Sequence, residues 1–248
     1  MKKLITTLML TIAPTTVLAV DATPLFSVNI GAGSWGADYS GELGDFDTNV
    51  DDLGFDDDNN AYFYAAFEHA VPLIPQIRFE RIDISSSGVG TLTRSFQIDD
   101  RIFTVGSQVA TDLDFTFNDL TLYYELAIFD FGLTFRQFDA EVAASNTNGS
   151  LSDSEEVDGV LPMAYLQTKI DLPLTGIYVT GNVSGISFDD KSVIDYRAAI
   201  GYEIDLALVT KLGLEIGYRS FELDLGDEED FAADIELSGA YIGANLKF

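Results

Sequence analysis

From Val193 to Ile204 the chain alternates without interruption. Ile194, Tyr196, Ala198, Ile200, Tyr202 and Ile204 fall on one side, and Val193, Asp195, Arg197, Ala199, Gly201 and Glu203 on the other. A period of two is the mark of a β-strand with one apolar and one polar face. The pattern recurs along the chain. Phe129, Phe131, Leu133 and Phe135 oppose Asp130, Gly132, Thr134 and Arg136, and Leu212, Leu214, Ile216 and Tyr218 oppose Lys211, Gly213, Glu215, Gly217 and Arg219. Ala61, Phe63, Ala65 and Phe67 oppose Tyr62, Tyr64, Ala66 and Glu68, while Phe26, Val28, Ile30 and Ala32 oppose Ser27, Asn29, Gly31 and Gly33. Such segments predict ten strands, near 25–40, 60–70, 76–87, 101–126, 129–142, 160–170, 176–188, 192–204, 209–224 and 231–248.

Three of them change phase in mid-course. Phe115 and Phe117 are out of step with Leu120, Leu122 and Tyr124, Phe79 with Ile82 and Ile84, and Leu237 with Ala240. An inserted residue would do this, so β-bulges are expected there, unless Asn118-Asp119 is a turn that changes the count. Short connections (Val71 to Pro75, the stretch around Ile128, Asp171 to Thr175, Asp205 to Leu208) alternate with mostly long ones near 41–59, 88–100, 143–158 and 225–230. Asp189-Asp190-Lys191 is a tight exception. Short turns at one end and long loops at the other is how transmembrane β-barrels of bacterial outer membranes are organised, with the long loops outside the cell.

A β-sandwich also has one apolar face per strand, but its inner faces form a dry core. Here Arg78, Arg136, Arg197, Lys211, Arg219 and Lys247 share the polar faces with Glu68, Glu80, Asp130, Asp195, Glu203 and Glu215. These charges suit a mutually neutralising lumen, with the apolar face turned to lipid. Closure into a barrel also satisfies every backbone group that an open edge would leave unpaired in lipid. The expected fold is therefore all-β, an antiparallel transmembrane β-barrel of about ten strands.

Composition agrees. The 248 residues carry 41 acids against 13 bases, a formal net charge of −28, yet 47% are hydrophobic. Many acids gather in the predicted outer loops: Glu42, Asp45, Asp47, Asp51, Asp52, Asp56, Asp57 and Asp58 lie in 41–60, and Asp139, Glu141, Asp153, Glu155, Glu156 and Asp158 in 139–158, with no base in either stretch. Glu222, Asp224, Asp227, Glu228, Glu229 and Asp230 add to them in 222–230. This negative balance argues against nucleic acid as a partner. The absence of cysteine excludes disulfides, thiolate metal sites and cysteine nucleophiles.

Lys2 and Lys3, an apolar run from Leu4 to Ala13 and the small-residue end Val17-Leu18-Ala19 predict a signal peptide over 1–19, with Ala22 an alternative cut and residues 20–248 forming the barrel. The run is too short for a spanning helix, which needs about 20 apolar residues. At the other terminus Tyr241-Ile242-Gly243-Ala244-Asn245-Leu246-Lys247-Phe248 closes on alternating hydrophobics and a final Phe. Tyr241, Gly243, Leu246 and Phe248 resemble the C-terminal assembly signal of outer-membrane proteins. The expected location is the outer membrane of a Gram-negative bacterium. Its lipid, with lipopolysaccharide, and the barrel assembly machinery are the expected partners.

Val28-Asn29-Ile30-Gly31-Ala32-Gly33-Ser34-Trp35-Gly36, Glu68 to Arg78, Leu122 to Leu126, Leu161 to Tyr165 and Asp171 to Gly176 are similar to an uncharacterised outer-membrane β-barrel family of Gram-negative bacteria that also carry the GlyGly-CTERM sorting system. The resemblance spans essentially the whole mature chain and implies a barrel without an established activity. A looser similarity in size and plan to OmpW-like small barrels implies passage of small apolar molecules, with no specific motif for it.

The only histidine, His69, sits beside the short Val71 to Pro75 turn, where an interfacial or turn role fits better than catalysis. A Ser-His-acid or Asp-His enzyme has no other histidine to use, so lipid A deacylase, phospholipase and omptin-type readings are set aside and no enzyme is expected. Asp45, Asp47, Asn49, Asp51 and Asp56 approximate a calcium loop, but Val50 stands where an EF-hand needs Gly and Asp56 where it needs Glu. Looser bridging of the acidic loops by divalent cations is the alternative to a simply solvated surface. Gly31, Gly33 and Gly36 form no dinucleotide fingerprint and suit close packing within a strand. Trp35, Tyr123, Tyr124, Phe129, Phe188, Tyr202 and Phe221 are expected in interfacial girdles. Arg78, Arg136, Arg197, Arg219, Glu203 and Glu215 are expected to form a charged lumen network that leaves a narrow or closed polar interior. The expectation is a non-catalytic structural or surface-interaction barrel without cofactor. The alternative is a narrow channel for small solutes or small hydrophobic molecules.

Overall fold

The computed structural model describes residues 25–43, 48–55, 58–98, 101–149, 151–189, 191–225 and 233–248. Ten long antiparallel strands follow in chain order: β1 (Phe26–Leu43), β2 (Asp58–His69), β3 (Gln76–Thr91), β4 (Gln108–Leu126), β5 (Phe129–Asn146), β6 (Ser152–Asp171), β7 (Ile177–Phe188), β8 (Lys191–Asp205), β9 (Lys211–Asp224) and β10 (Ala233–Lys247). Each pairs with its sequence neighbours, and β10 pairs back onto β1 from Asn29↔Lys247 to Leu43↔Ala233. Backbone bonds between Val28 and Phe248 (2.8 and 2.9 Å) finish the seam. The sheet is a closed ten-stranded barrel with no free edge. The proposed signal peptide, Ala22 and the loop acids Asp45, Asp47, Asp56, Asp57, Asp227, Glu228, Glu229 and Asp230 lie outside the described residues.

The connections 70–75, Ala127-Ile128, 172–176 and 206–210, all short, lie at the end that also carries both described termini, while the opposite end has the long connections 44–57, 92–107 and 225–232 together with two short ones, 147–151 and 189–190. At the opposite end two connections fold inward. Thr48–Asn49 pairs with β1, and a 3-10 turn, Val50–Leu53, follows it. Asn49 caps the turn by accepting the Asp51 N–H, Thr111 Oγ1 donates to the Leu53 carbonyl (2.6 Å), and Phe55 bridges to Gly88. Between β3 and β4, Phe96–Ile98 and Arg101–Phe103 form a small hairpin that buries Phe96 and Phe103.

The expected strand over 101–126 is thus two elements, separated by a turn at Thr104 to Ser107, because Arg101–Phe103 pairs with Phe96–Ile98 instead of the wall. The expected loop over 143–158 is also corrected. β5 and β6 run on to Asn146 and from Ser152, with unbroken pairing up to Ser145↔Ser152. The acids of the stretch 139–158 therefore stand on the barrel wall, with Asp139, Glu141, Glu156 and Asp158 outward and exposed.

None of the three expected bulges exists. β4 pairs residue for residue with β3 from Gln76↔Tyr123 to Thr91↔Gln108 and with β5 from Val109↔Asn146 to Leu126↔Phe129, and β9–β10 pairing is equally regular. The phase change has another cause. Leu120, Leu122, Tyr124 and Leu126 point outward, and so, further along the same face, do Asp112, Asp114, Thr116 and Asn118. On the inner face the order is reversed: Asp119 and Thr121 lie below, Leu113, Phe115 and Phe117 above. The strand keeps its geometry while its surroundings exchange. β3 does the same, with Ile77 and Phe79 outward below Arg81 and Asp83, and Glu80 inward below Ile82 and Ile84. A strand crosses a membrane in about 9–11 residues, whereas β4 has 19 and β6 has 20. The apolar outer band occupies only the half near the short turns.

Candidate functional site

The lumen has two storeys. In the lower one, inward positions of β3, β4, β5, β8 and β9 bring arginines and carboxylates to one level. Glu80 accepts from Arg78 Nη2 (2.7 Å), from Arg197 Nη1 and Nη2 (3.2 and 2.8 Å) and from Arg219 Nη1 (3.1 Å). Asp195 accepts from Arg219 Nε and Nη2 (3.0 and 2.5 Å) and from Arg136 Nη2 (2.6 Å). Arg136 also grips Asp119 side-on, Nε to Oδ1 at 2.8 Å and Nη2 to Oδ2 at 2.6 Å. β3 and β8 stand five places apart in a ring of ten, so the Glu80–Arg197 pair is a tie between opposite walls. Side chains of Glu80, Asp195, Arg136 and Arg219 are at most 6% exposed. Within this bonded group four guanidiniums meet three carboxylates.

Of the expected network, Arg78, Arg136, Arg197 and Arg219 are brought together. Glu203 and Glu215 are not part of that group. Glu203 lies nearer the short-turn end, where Lys169 and Lys211 Nζ (3.0 Å) donate to it. Glu215 accepts from Tyr178 Oη (2.7 Å). Glu68 is held in the same lower region by Lys247 Nζ (2.9 Å) and Ser27 Oγ (2.8 Å). Asp119, a full member of the central group, was missed by sequence reasoning because the phase change beside it reads as a bulge or, alternatively, as a turn at Asn118-Asp119. The signal was there, since Asp119 continues the inward parity of Thr121 and Tyr123.

The upper storey is apolar. A cavity of about 470 Å³ opens there, walled by side chains such as Leu113, Phe115, Phe138, Val142, Leu161 and Leu237, with Phe96 of the small hairpin and Val50 of the 3-10 turn closing one side. The expected polar lumen is therefore polar only below. Lower cavities are far smaller, about 20 Å³ beside the arginines and about 70 Å³ among Tyr62, Tyr64, Arg78 and Tyr178. Arg136 forms part of the upper cavity's floor. Its guanidinium carbon lies 4.6 Å from the centroid of Phe117 and 5.6 Å from that of Phe221, a cation–π arrangement with two rings that also line the cavity.

Several aromatics expected in girdles are inside instead. Trp35 is buried, its ring 5.2 Å from the Arg219 guanidinium, and Tyr123 and Phe221 also point into the lumen. Phe188, by contrast, is exposed and stands at the rim of the upper cavity. Tyr124, Phe129 and Tyr202 do stand outward and exposed near the short turns. Gly31 and Gly33 pack as expected: a Cβ on Gly31 would run into the Tyr64 ring and one on Gly33 into Tyr62. In the C-terminal motif Tyr241 is buried inward, edge-on to Tyr62 with centroids 6.0 Å apart, while Phe248 is exposed at the seam. Gly243 faces inward beneath the Tyr62 hydroxyl, and Leu246 faces outward.

His69 is a turn residue. Its Nδ1 accepts the Val71 N–H (3.3 Å), and its backbone is clasped by the Gln76 amide. Of the candidate cation ligands, Asn49 and Asp51 are described, Asn49 capping the 3-10 turn in which Asp51 sits. Among the described residues no group of three or more His, Cys, Asp or Glu is placed to hold a metal ion.

Comparison of the sequence with protein-family models and with curated proteins finds no match. Among solved structures the barrel is similar to the outer membrane protease OmpT from Escherichia coli, with a TM-score of 0.48 and 12% identity over 90% of this chain and 96% of that one. It is also similar to the transport unit of the autotransporter AIDA-I from Escherichia coli (TM-score 0.40, 10% identity, 94% and 93% covered). A third similarity is to the P. putida toluene transporter TodX (TM-score 0.27, 10% identity, 91% and 90% covered).

Proposed function

We propose that the chain is an integral outer-membrane β-barrel of a Gram-negative bacterium, non-catalytic, with its lumen closed to solutes and its working surface at the end carrying the longer connections. An edge-free barrel with an apolar outer band suits lipid, where every backbone group must be paired internally. The short turns then face the periplasm. The polar upper walls stand clear of the membrane among lipopolysaccharide headgroups, and the terminal strand engages the assembly machinery. The group carrying closure is the Glu80–Arg197 tie across the barrel, reinforced by Arg219, Asp195, Arg136 and Asp119. Barrels of about eight strands are filled by their own side chains, and ten strands add little width. A conduit would require these ties to part. His69, already engaged in a turn, supports a reading without histidine-dependent catalysis.

The test is electrical. Folded protein inserted into planar bilayers, with insertion verified by protease protection, is expected to give no discrete conductance steps. Regular steps in the unmodified protein would replace the closed-barrel reading with the channel reading.

A further inference from the structure

The upper cavity is deep and apolar, and its floor is ionic. Its volume of about 470 Å³ lies within the range of about 300–1,000 Å³ typical of pockets that hold one small molecule. It is built by unbroken strands whose inner face turns apolar only above Asp119 and Arg136, and two connections fold in to complete the wall. Solvated barrel mouths have no need of such a lining. The second observation is at the floor. Arg136 spends Nε and Nη2 on Asp119 and Asp195, while its Nη1 is buried and bonded to nothing among the described residues. A buried donor without an acceptor is costly, and a bond to a charged donor is among the stronger ones.

We propose that this cavity is a dead-end binding site, entered from outside the cell, for one predominantly apolar, uncharged molecule bearing a single hydrogen-bond acceptor, which meets Nη1 of Arg136. The acceptor is argued from Arg136, which lines the cavity while its Nη1, covered in this structure, has no partner among the described residues and belongs to a group with one guanidinium in excess of its carboxylates, so that a small shift of the covering side chains would let a ligand reach it. Neutrality is argued from the approach. An anion would pass a wall that carries Glu155 and Asp224 against one base, Lys191, beneath the exposed acids of the outer strands, and lose its hydration in an apolar chamber. The site deepens the proposed function, because outside access rests on the long-connection end facing outward. The two fail separately: conductance steps would undo closure, whereas the binding assay reads the cavity itself.

The probes are 2-undecanone, undecane and undecanoate, measured by equilibrium binding to the full-length folded barrel in lipid nanodiscs, with empty nanodiscs subtracted. The ketone is expected to bind saturably at one per barrel. Undecane is expected to bind about tenfold more weakly for want of the acceptor, and undecanoate more weakly than the ketone. Val142→Trp and Leu113→Trp fill the cavity from different walls. Whichever folds, judged by heat-dependent gel mobility, is expected to abolish ketone binding. Absence of saturable binding, or binding unchanged in the folded filled variants, overturns the site. Alkane binding equal to the ketone overturns the role of Arg136, and tighter binding of undecanoate overturns neutrality.

Discussion

Glu80 concentrates more of the interior's electrostatics than any other carboxylate in the barrel's central group, holding Arg78, Arg197 and Arg219 at once with its side chain 6% exposed. Buried ion pairs seldom add net stability over a well-packed apolar substitute, but removing one partner strands the others, at a cost of about 3–5 kcal/mol. Glu80→Gln is therefore expected to lower the unfolding free energy by about 3–5 kcal/mol, read from urea titrations in lipid vesicles. The Arg81–Asp83 pair on the outer wall, with side chains 37% and 54% exposed, gives the contrast. Asp83→Asn is expected to change stability by less than about 1 kcal/mol. Similar losses for both would mean that the central group is solvated and not a structural tie.

Along each strand, the informative event is where amphipathicity inverts. In β5 the outward residues pass from Phe129, Phe131, Leu133 and Phe135 to Gln137, Asp139 and Glu141 while pairing continues unbroken. This marks the upper edge of the apolar outer band, which the proposed placement turns to lipid. Leu133→Lys is expected to cost about 2–4 kcal/mol and Gln137→Lys about 0–1 kcal/mol, following the depth dependence for charges on a barrel's lipid face, measured by the same vesicle titrations. Equal costs would remove the boundary. Alternation was legible because a period of two admits few other structures, and it recovered ten strands and the inward position of four arginines. The inversions were not legible. A phase slip in a sequence looks the same whether a residue has been inserted or the strand has passed from lipid into water. Only the unbroken registers around Phe117 and Leu120 distinguish the two. The same ambiguity hid the apolar upper cavity and assigned wall acids such as Glu156 to a loop. Trp35 was misplaced for a related reason, since an aromatic on a polar-parity face can be a girdle residue only if the strand end is near.

The molecule as a whole is a cylinder whose outer wall is apolar over its lower half and polar over its upper half, tied across inside by arginines and carboxylates, and the proposed placement sets the lower half in lipid and the upper half in water. The chain's single tryptophan, Trp35, is buried inside and should stay insensitive to anything dissolved in the bilayer. That makes it a quiet background for added reporters. The most direct measurement is quenching of tryptophan fluorescence by lipids brominated along their acyl chains. Phe131→Trp, in the outward band of β5, is expected to be strongly quenched, while Asp139→Trp, eight residues higher on the same face, and the unmodified protein are expected to keep their emission. Quenching of Asp139→Trp together with silence at Phe131→Trp would contradict the placement of the barrel in the membrane.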